Sequence, residues 1–223
     1  MGSVLIFAER RSDDIHPITH ELLGKGRELA DALNLNVHAA LLGCNLKEEW
    51  AQELISRGAD IVFLFDSPTL AHFDPTTYKG NLAKLIRETR PEIVLFGATH
   101  LGRSLAPRVA AALSTGLTAD CTELAPNDDG SLIQIRPAFT GNILAHIKTR
   151  TRPQMFYGAL QGHEASPARL QQAREGRTDG SRSLPLSIAP DPRGGGGKHQ
   201  PTRRGGHSFR RERTQKTPET SRC

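Results

Sequence analysis

The sequence predicts an α/β domain, a mostly parallel sheet flanked by helices, followed by a disordered basic tail. Three observations carry this. Short apolar runs alternate with helical patterns four times before residue 114. Such alternation implies right-handed crossovers and a parallel sheet with helices on both faces. Apolar patterning then fades beyond about Met155, where glycine and arginine take over. The charge divides at the same place. Residues 156–223 hold 13 Lys/Arg against 6 Asp/Glu, a net of +7; the whole chain is +5, which leaves −2 for residues 1–155.

Val4-Leu5-Ile6-Phe7-Ala8 is a continuous apolar run, as a strand buried on both faces requires. Pro17 opens a helix that carries Leu22, Leu23, Leu29, Ala30 and Leu33 at near-helical spacing. Val37 to Leu42 reads as a second strand. Lys47 to Ser56 reads as a helix with Trp50, Leu54 and Ile55 on one face and Gly58 just past its end. Asp60 to Phe65 is a third strand. Asp74 is an N-cap and Pro75 a first helical residue for a helix to about Thr89, which Arg90-Pro91 ends. Glu92 to Phe96 is a fourth strand, and a helix runs from about Leu101 to Leu113. Shorter β-like pieces follow at 117–124, 132–135 and 142–149, the first two separated by a turn at Pro126 to Gly130.

No run of 18 apolar residues is present, so no membrane-spanning helix is expected. The start lacks the basic region of a signal peptide. Cys44, Cys121 and Cys223 are widely spaced and odd in number, which predicts neither a disulfide framework nor a zinc site and makes a reducing cytoplasm the default. The sequence pI near 9.4 points to nucleic acid at first sight, but the basicity belongs to the tail alone. That tail contains Gly194 to Gly197 and Arg210-Arg211-Glu212-Arg213, and Phe209 is its only aromatic beyond Tyr157. Too little apolar surface is available there to offset the entropy of ordering, and too few aromatics to stack bases. Specific nucleic-acid binding is not expected; a nucleic-acid-associated protein using the tail is kept as a rival reading.

The most informative stretch runs from Ile93 to Ala111, a strand, a glycine-containing turn and a helix. Ligands in α/β folds bind at the carboxyl ends of parallel strands, and a helix start with Thr99 and Arg103 beside it has the chemistry to hold an anion. Gly97, Thr99, Gly102 and Arg103 are therefore the candidate cofactor-binding residues, as an anion site, and a nucleotide-binding α/β module using them is kept as a rival reading. The alternative is a tight turn whose small residues let helix and strand pack closely. The stretch is neither a dinucleotide fingerprint nor a Walker loop. His16 and His20 read as the exposed face of the first helix, without the third ligand a metal needs. Cys121 reads as a buried core thiol, Trp50 as core, and Arg136 and Asn142 as turn or contact residues. No residue is assigned a catalytic role.

Taken together, Gly97-Ala98-Thr99, Gly102-Arg103, Leu105 to Ala110, Thr115 to Cys121, Arg136 to Phe139, Gly141-Asn142-Ile143 and Arg152 to Met155 resemble, in order and spacing, the N-terminal domain of the electron-transfer flavoprotein alpha subunit. Ser104 and Thr140 depart from the family's usual Asp and Gly. The resemblance covers residues 3–155 and implies an adenine nucleotide alpha hydrolase-like, Rossmann-like three-layer sandwich. It implies an electron carrier subunit rather than an enzyme, pairing with a beta subunit. The heterodimer passes electrons from acyl-CoA or similar dehydrogenases, as in fatty acid β-oxidation, to an acceptor. FAD belongs to a C-terminal domain that this chain does not match. The chain alone is thus expected to bind no FAD and to supply a structural, subunit-pairing domain.

After Met155 the chain continues Phe156-Tyr157-Gly158-Ala159-Leu160-Gln161, unlike the family. Back-translated with full degeneracy and regrouped after dropping one base, the run from Phe156 can encode Ser-Thr-Val-Arg-Tyr-Lys-Val-Met-Lys-Pro, the kind of string with which the family goes on. This predicts two parts: the domain at 1–155, and a Gly/Arg-rich tail at 156–223 translated in a shifted frame, so that the subunit is truncated.

Overall fold

The computed structural model describes residues 2–11, 13–127, 131–138 and 143–159, together with Leu186–Ser187. In chain order the elements are β1 (Ser3–Ala8), a ribbon of β2 (Arg10–Arg11) and β3 (Asp14–Ile15), α1 (Pro17–Leu33), β4 (Asn36–Gly43), α2 (Glu48–Ser56), β5 (Ile61–Asp66), a 3-10 turn (Pro68–Leu70), α3 (Pro75–Thr89), β6 (Ile93–Gly97), α4 (His100–Leu113), β7 (Leu117–Cys121), β8 (Glu123–Pro126), β9 (Leu132–Ala138), β10 (Ile143–Lys148), β11 (Gln154–Gly158) and β12 (Leu186–Ser187).

The main sheet has the order β12-β5-β4-β1-β6-β11-β7, and every neighbouring pair is parallel. A second sheet, β10-β9-β8, is antiparallel. All six residues of β1 are buried because it lies mid-sheet with helices over both faces. Alternate side chains serve the two layers. Val4, Ile6 and Ala8 pack with Leu22, Leu23 and Leu29 of α1 and Trp50, Ala51 and Leu54 of α2. Leu5 and Phe7 pack with Tyr78, Leu82 and Leu85 of α3 and Leu105 and Val109 of α4. Each fully buried large side chain contributes about 1.5–3 kcal/mol, so this is the three-layer arrangement the alternating pattern predicts.

Local signals set the helix ends. Asp74 Oδ2 accepts the Thr77 amide at 2.7 Å at the start of α3. The helices α1, α3 and α4 stop at Asn34, Arg90 and Ser114, each in the left-handed region. Gly58, expected past α2, has φ 114°.

The structure differs from the sequence reading in three places. The piece expected at 117–124 is two strands, β7 and β8, belonging to different sheets. The β2–β3 ribbon was not anticipated, since two-residue strands leave no periodic trace. The strand β11 was not anticipated either. It inserts between β6 and β7, and Met155 and Phe156 are fully buried on opposite faces. Its identity comes from backbone pairing on both sides, which a five-residue run cannot announce. The sheet therefore continues through Gly158, past the expected junction at Met155. The Asp128 to Gly130 part of the expected turn, Phe139 to Asn142, and most of the tail, with its expected disorder, lie outside the described residues.

Candidate functional site at the switch point of the sheet

From β1 the chain adds β4 and then β5 on one side, and next places β6 on the other side of β1. The carboxyl ends of β1 and β6 thus flank the point where strand order reverses, the position at which open α/β sheets receive ligands. The residues delivered there are Glu9, just after β1, and Gly97, Ala98 and Thr99 at the end of β6.

The backbone of Glu9 is fixed from both sides. Its N–H donates to the Thr19 hydroxyl oxygen at 2.9 Å, that hydroxyl donates to the Glu9 carbonyl at 3.1 Å, and the His16 amide donates to the same carbonyl at 2.9 Å. Its side chain points into the protein and the residue is 3% exposed. The Thr99 hydroxyl donates to Oε2 at 2.7 Å. Buried Oε1 has no hydrogen-bond partner among the described residues. Burial raises the carboxyl from its ordinary value to about 7, and the Thr99 hydrogen bond opposes part of that rise.

Thr99 is also the N-cap of α4. Its hydroxyl oxygen accepts the Gly102 amide at 2.9 Å. Two glycines make the close approach possible. A Cβ on Gly97 would lie 2.8 Å from Ile18 Cγ1 and 3.0 Å from Glu9 Oε1; a Cβ on Gly102 would lie 2.0 Å from the Gly97 carbonyl oxygen. The Ala98 amide donates to the Gly158 carbonyl at 3.1 Å, so β11 secures the turn from the other side. Arg103 Nε donates to the Ala98 carbonyl at 3.2 Å, its Nη1 lies 2.6 Å from Asp120 Oδ1, and its guanidinium lies 5.4 Å from the Tyr157 ring centroid.

The structure therefore brings Gly97, Thr99, Gly102 and Arg103 together, and it commits their polar groups to the protein itself. Sequence reasoning passed over Glu9, Asp120 and Tyr157. For Glu9 a signal exists: an acidic residue directly after a wholly apolar run stands at the carboxyl end of a parallel strand. Asp120 and Tyr157 come from strands whose neighbours only the fold reveals. A dinucleotide cofactor such as FAD needs open amides and an uncommitted cation for its pyrophosphate. Here a carboxyl presses on the glycines, Thr99 holds the Gly102 amide, and Arg103 is paired with Asp120, so these residues do not fit that group.

The other singled-out residues have structural surroundings. His16 caps α1 through Nδ1, which accepts the Ile18 amide at 3.1 Å. His20 Nε2 lies 3.0 Å from Glu53 Oε1 on α2, so it is half-buried between helices and not on an open face as expected. Trp50 is core, with Lys47 Nζ 5.3 Å from its ring centroid. Cys121 is a buried free thiol whose pKa burial pushes up to about 12. Arg136 lies on β9; Asn142 is outside the described residues. Among the described residues no group of three or more His, Cys, Asp or Glu is placed to hold a metal, and no helix is long and apolar enough to cross a membrane.

Residues 4–177 match the electron transfer flavoprotein domain family. The chain is 49% identical over 152 residues to the lactate dehydrogenase (NAD(+),ferredoxin) subunit LctC of Acetobacterium woodii, covering 68% of this chain and 36% of that protein. It is 47% identical over 153 residues to the electron transfer flavoprotein subunit alpha of Thermoanaerobacterium thermosaccharolyticum, covering 68% of this chain and 46% of that one. It is 43% identical over 157 residues to the protein FixB of Rhizobium meliloti, covering 69% of this chain and 44% of that one. The chain thus spans less than half the length of these relatives.

Proposed function

The chain belongs to the electron transfer flavoprotein family, among its alpha-subunit and FixB members, and from that premise we propose that it supplies the structural, subunit-pairing domain of an alpha subunit. The observation that carries the proposal is where the similarity falls. Identity of 43–49% covers 68–69% of this chain, over the length that builds the three-layer domain, and under half of each relative. In this reading the partner is an electron transfer flavoprotein beta subunit, and the pair carries electrons from dehydrogenases to an acceptor. LctC is named as a lactate dehydrogenase subunit, so the donor class is dehydrogenases generally, acyl-CoA dehydrogenases among them. Electron chemistry in such a system resides in the flavin, while protein sets orientation and potential. The FAD-binding part of the family lies outside the residues this chain matches, so in this reading the chain's own contribution is the subunit-pairing domain, acting in the cytoplasm, and the Gly/Arg-rich run after Met155 is translated in a shifted frame.

The test is co-expression with a tagged beta subunit from the same source, followed by affinity purification and an absorbance spectrum. The expected result is co-purification of the two chains, and a colourless product when this chain is purified alone and incubated with FAD. Tight, stoichiometric flavin binding by the isolated chain would overturn the truncation reading, and absence of pairing would overturn the subunit reading. The DNA around codon 155 tests the frame: a shifted frame that encodes no flavin domain excludes it.

A further inference from the structure

We propose that the outer edge of β5 is a strand-accepting surface that the chain closes with its own Leu186–Ser187, so that β12 is a cap that keeps a second copy of the chain from pairing there. The argument is independent of the subunit and frame readings, because it rests on backbone pairing alone. The main sheet ends at β7 on one side and at β12, against β5, on the other. At the β7 end the chain passes into the antiparallel sheet, and the Thr122 amide just after β7 donates to the Ile135 carbonyl of β9 at 3.0 Å. At the other end only β12 stands beside β5 among the described residues. Bare, β5 would be a hazard. Ile61-Val62-Phe63-Leu64-Phe65 is uncharged, free of proline, and made of β-branched, aromatic and leucine residues. It pairs with β4 from Ile61 to Asp66 without a register shift. An edge strand with no proline, lysine or bulge presents a straight row of unpaired amides and carbonyls, a template for another chain. Every copy carries the same edge, and two such edges set antiparallel about a twofold axis close as a dimer.

The strand β12 removes that template without creating a new one. It runs parallel to the middle of β5, with Leu186 opposite Phe63 and Ser187 opposite Leu64. It is only two residues long. Pro185 precedes it and Pro190 follows, and neither has an N–H to offer a further strand. The connection is long enough to deliver it. From β11 to β12 the sheet order counts five steps, about 24 Å at the ordinary strand spacing. Residues 159–185, 27 in all, join the two strands and reach roughly 90 Å when extended. A parallel pair needs a crossover of about a dozen residues, so the joining segment is not under tension.

The experiment follows amide hydrogen exchange by NMR in the full chain, for wild type and the double variant Leu186→Pro/Ser187→Pro, whose prolines cannot donate to β5. Circular dichroism is the folding control, and sedimentation velocity at rising concentration reads the mass. In the dilute, folded variant the β5 amides that face away from β4 are expected to exchange at least tenfold faster than in wild type, while those of β1 are unchanged. At higher concentration the variant is expected to become a dimer and its β5 amides to slow again, where wild type stays a monomer. Equal exchange in the two dilute proteins, a folded variant that stays monomeric, or a dimer whose β5 amides remain fast overturns the proposal. A second readout needs no variant. One of the Leu186 and Ser187 amides is expected to exchange at least tenfold more slowly in wild type than in a free peptide of residues 183–190, and equal rates overturn the cap.

Discussion

The Thr99 hydroxyl donates to Glu9 Oε2 at 2.7 Å and accepts the Gly102 amide at 2.9 Å. One oxygen atom thus joins the end of β1 to the first turn of α4, across 90 residues of sequence. The same oxygen sets how the carboxyl titrates, because its hydrogen bond is the force opposing burial.

Stability is expected to depend on pH through Glu9. Its carboxyl stands at about 7 in the folded protein against an ordinary 4.5. Below pH 4.5 both folded and unfolded chains hold the proton and the contribution is fully present. Between pH 4.5 and about 7 the unfolded chain releases its proton while the folded one retains it, so stability falls as pH rises. Above 7 the loss is complete, at about 3 kcal/mol. Urea melts from pH 4.5 to 8 check this. Glu9→Gln is expected to flatten the profile, and an identical slope in the two proteins would refute the assignment.

Removing the Thr99 hydroxyl is expected to act twice. Thr99→Val loses the cap of α4 and the hydrogen bond that Thr99 gives the buried carboxyl, for a combined cost of about 1–3 kcal/mol. It also moves the Glu9 titration upward, since the bond that lowered it is gone. Carbon-13 titration of the Glu9 side chain reads this second effect, which a merely weaker helix would leave unchanged.

Gly102→Ala is expected to destabilise the domain by about 3 kcal/mol, although alanine is ordinarily the better helix residue. The new methyl would stand 2.0 Å from the Gly97 carbonyl oxygen, which is backbone and cannot rotate away. A thermal melt checks the sign: stabilisation would mean that the approach of α4 to β6 is looser than described.

Chains cut after Met155 and after Ala159 are expected to differ. The first cut removes three of the five residues of β11, including the fully buried Phe156, and the Gly158 carbonyl that holds the Ala98 amide. Loss of a buried phenyl ring alone costs about 3–5 kcal/mol. The longer chain keeps the whole strand. Equal melting temperatures for the two would show that β11 contributes nothing beyond Met155.

Much of the fold was legible because its signals are local. The run Val4 to Ala8 can only be a strand buried on both faces, and Asp74-Pro75 marks a helix start whatever lies around it. The strand β11 was not legible: five residues after Pro153 carry no period, and hydrogen bonds to β6 and β7 make them a strand. The site divides in the same way. Thr99 was found because a threonine before a helix has a cap's chemistry. Its real partner, Glu9, lies 90 positions away and was not found.

By itself the sequence determined the alternation of strands and helices, the glycine turn after β6, the family to which the domain belongs, and the division of charge near residue 155. Those features depend on spacing and residue type along the chain. Only the tertiary structure decided that the turn faces a buried carboxyl and that the sheet runs through Gly158. Strand order is set by which backbones meet, and that order places the end of β1 beside the end of β6 and makes Glu9 and Thr99 neighbours.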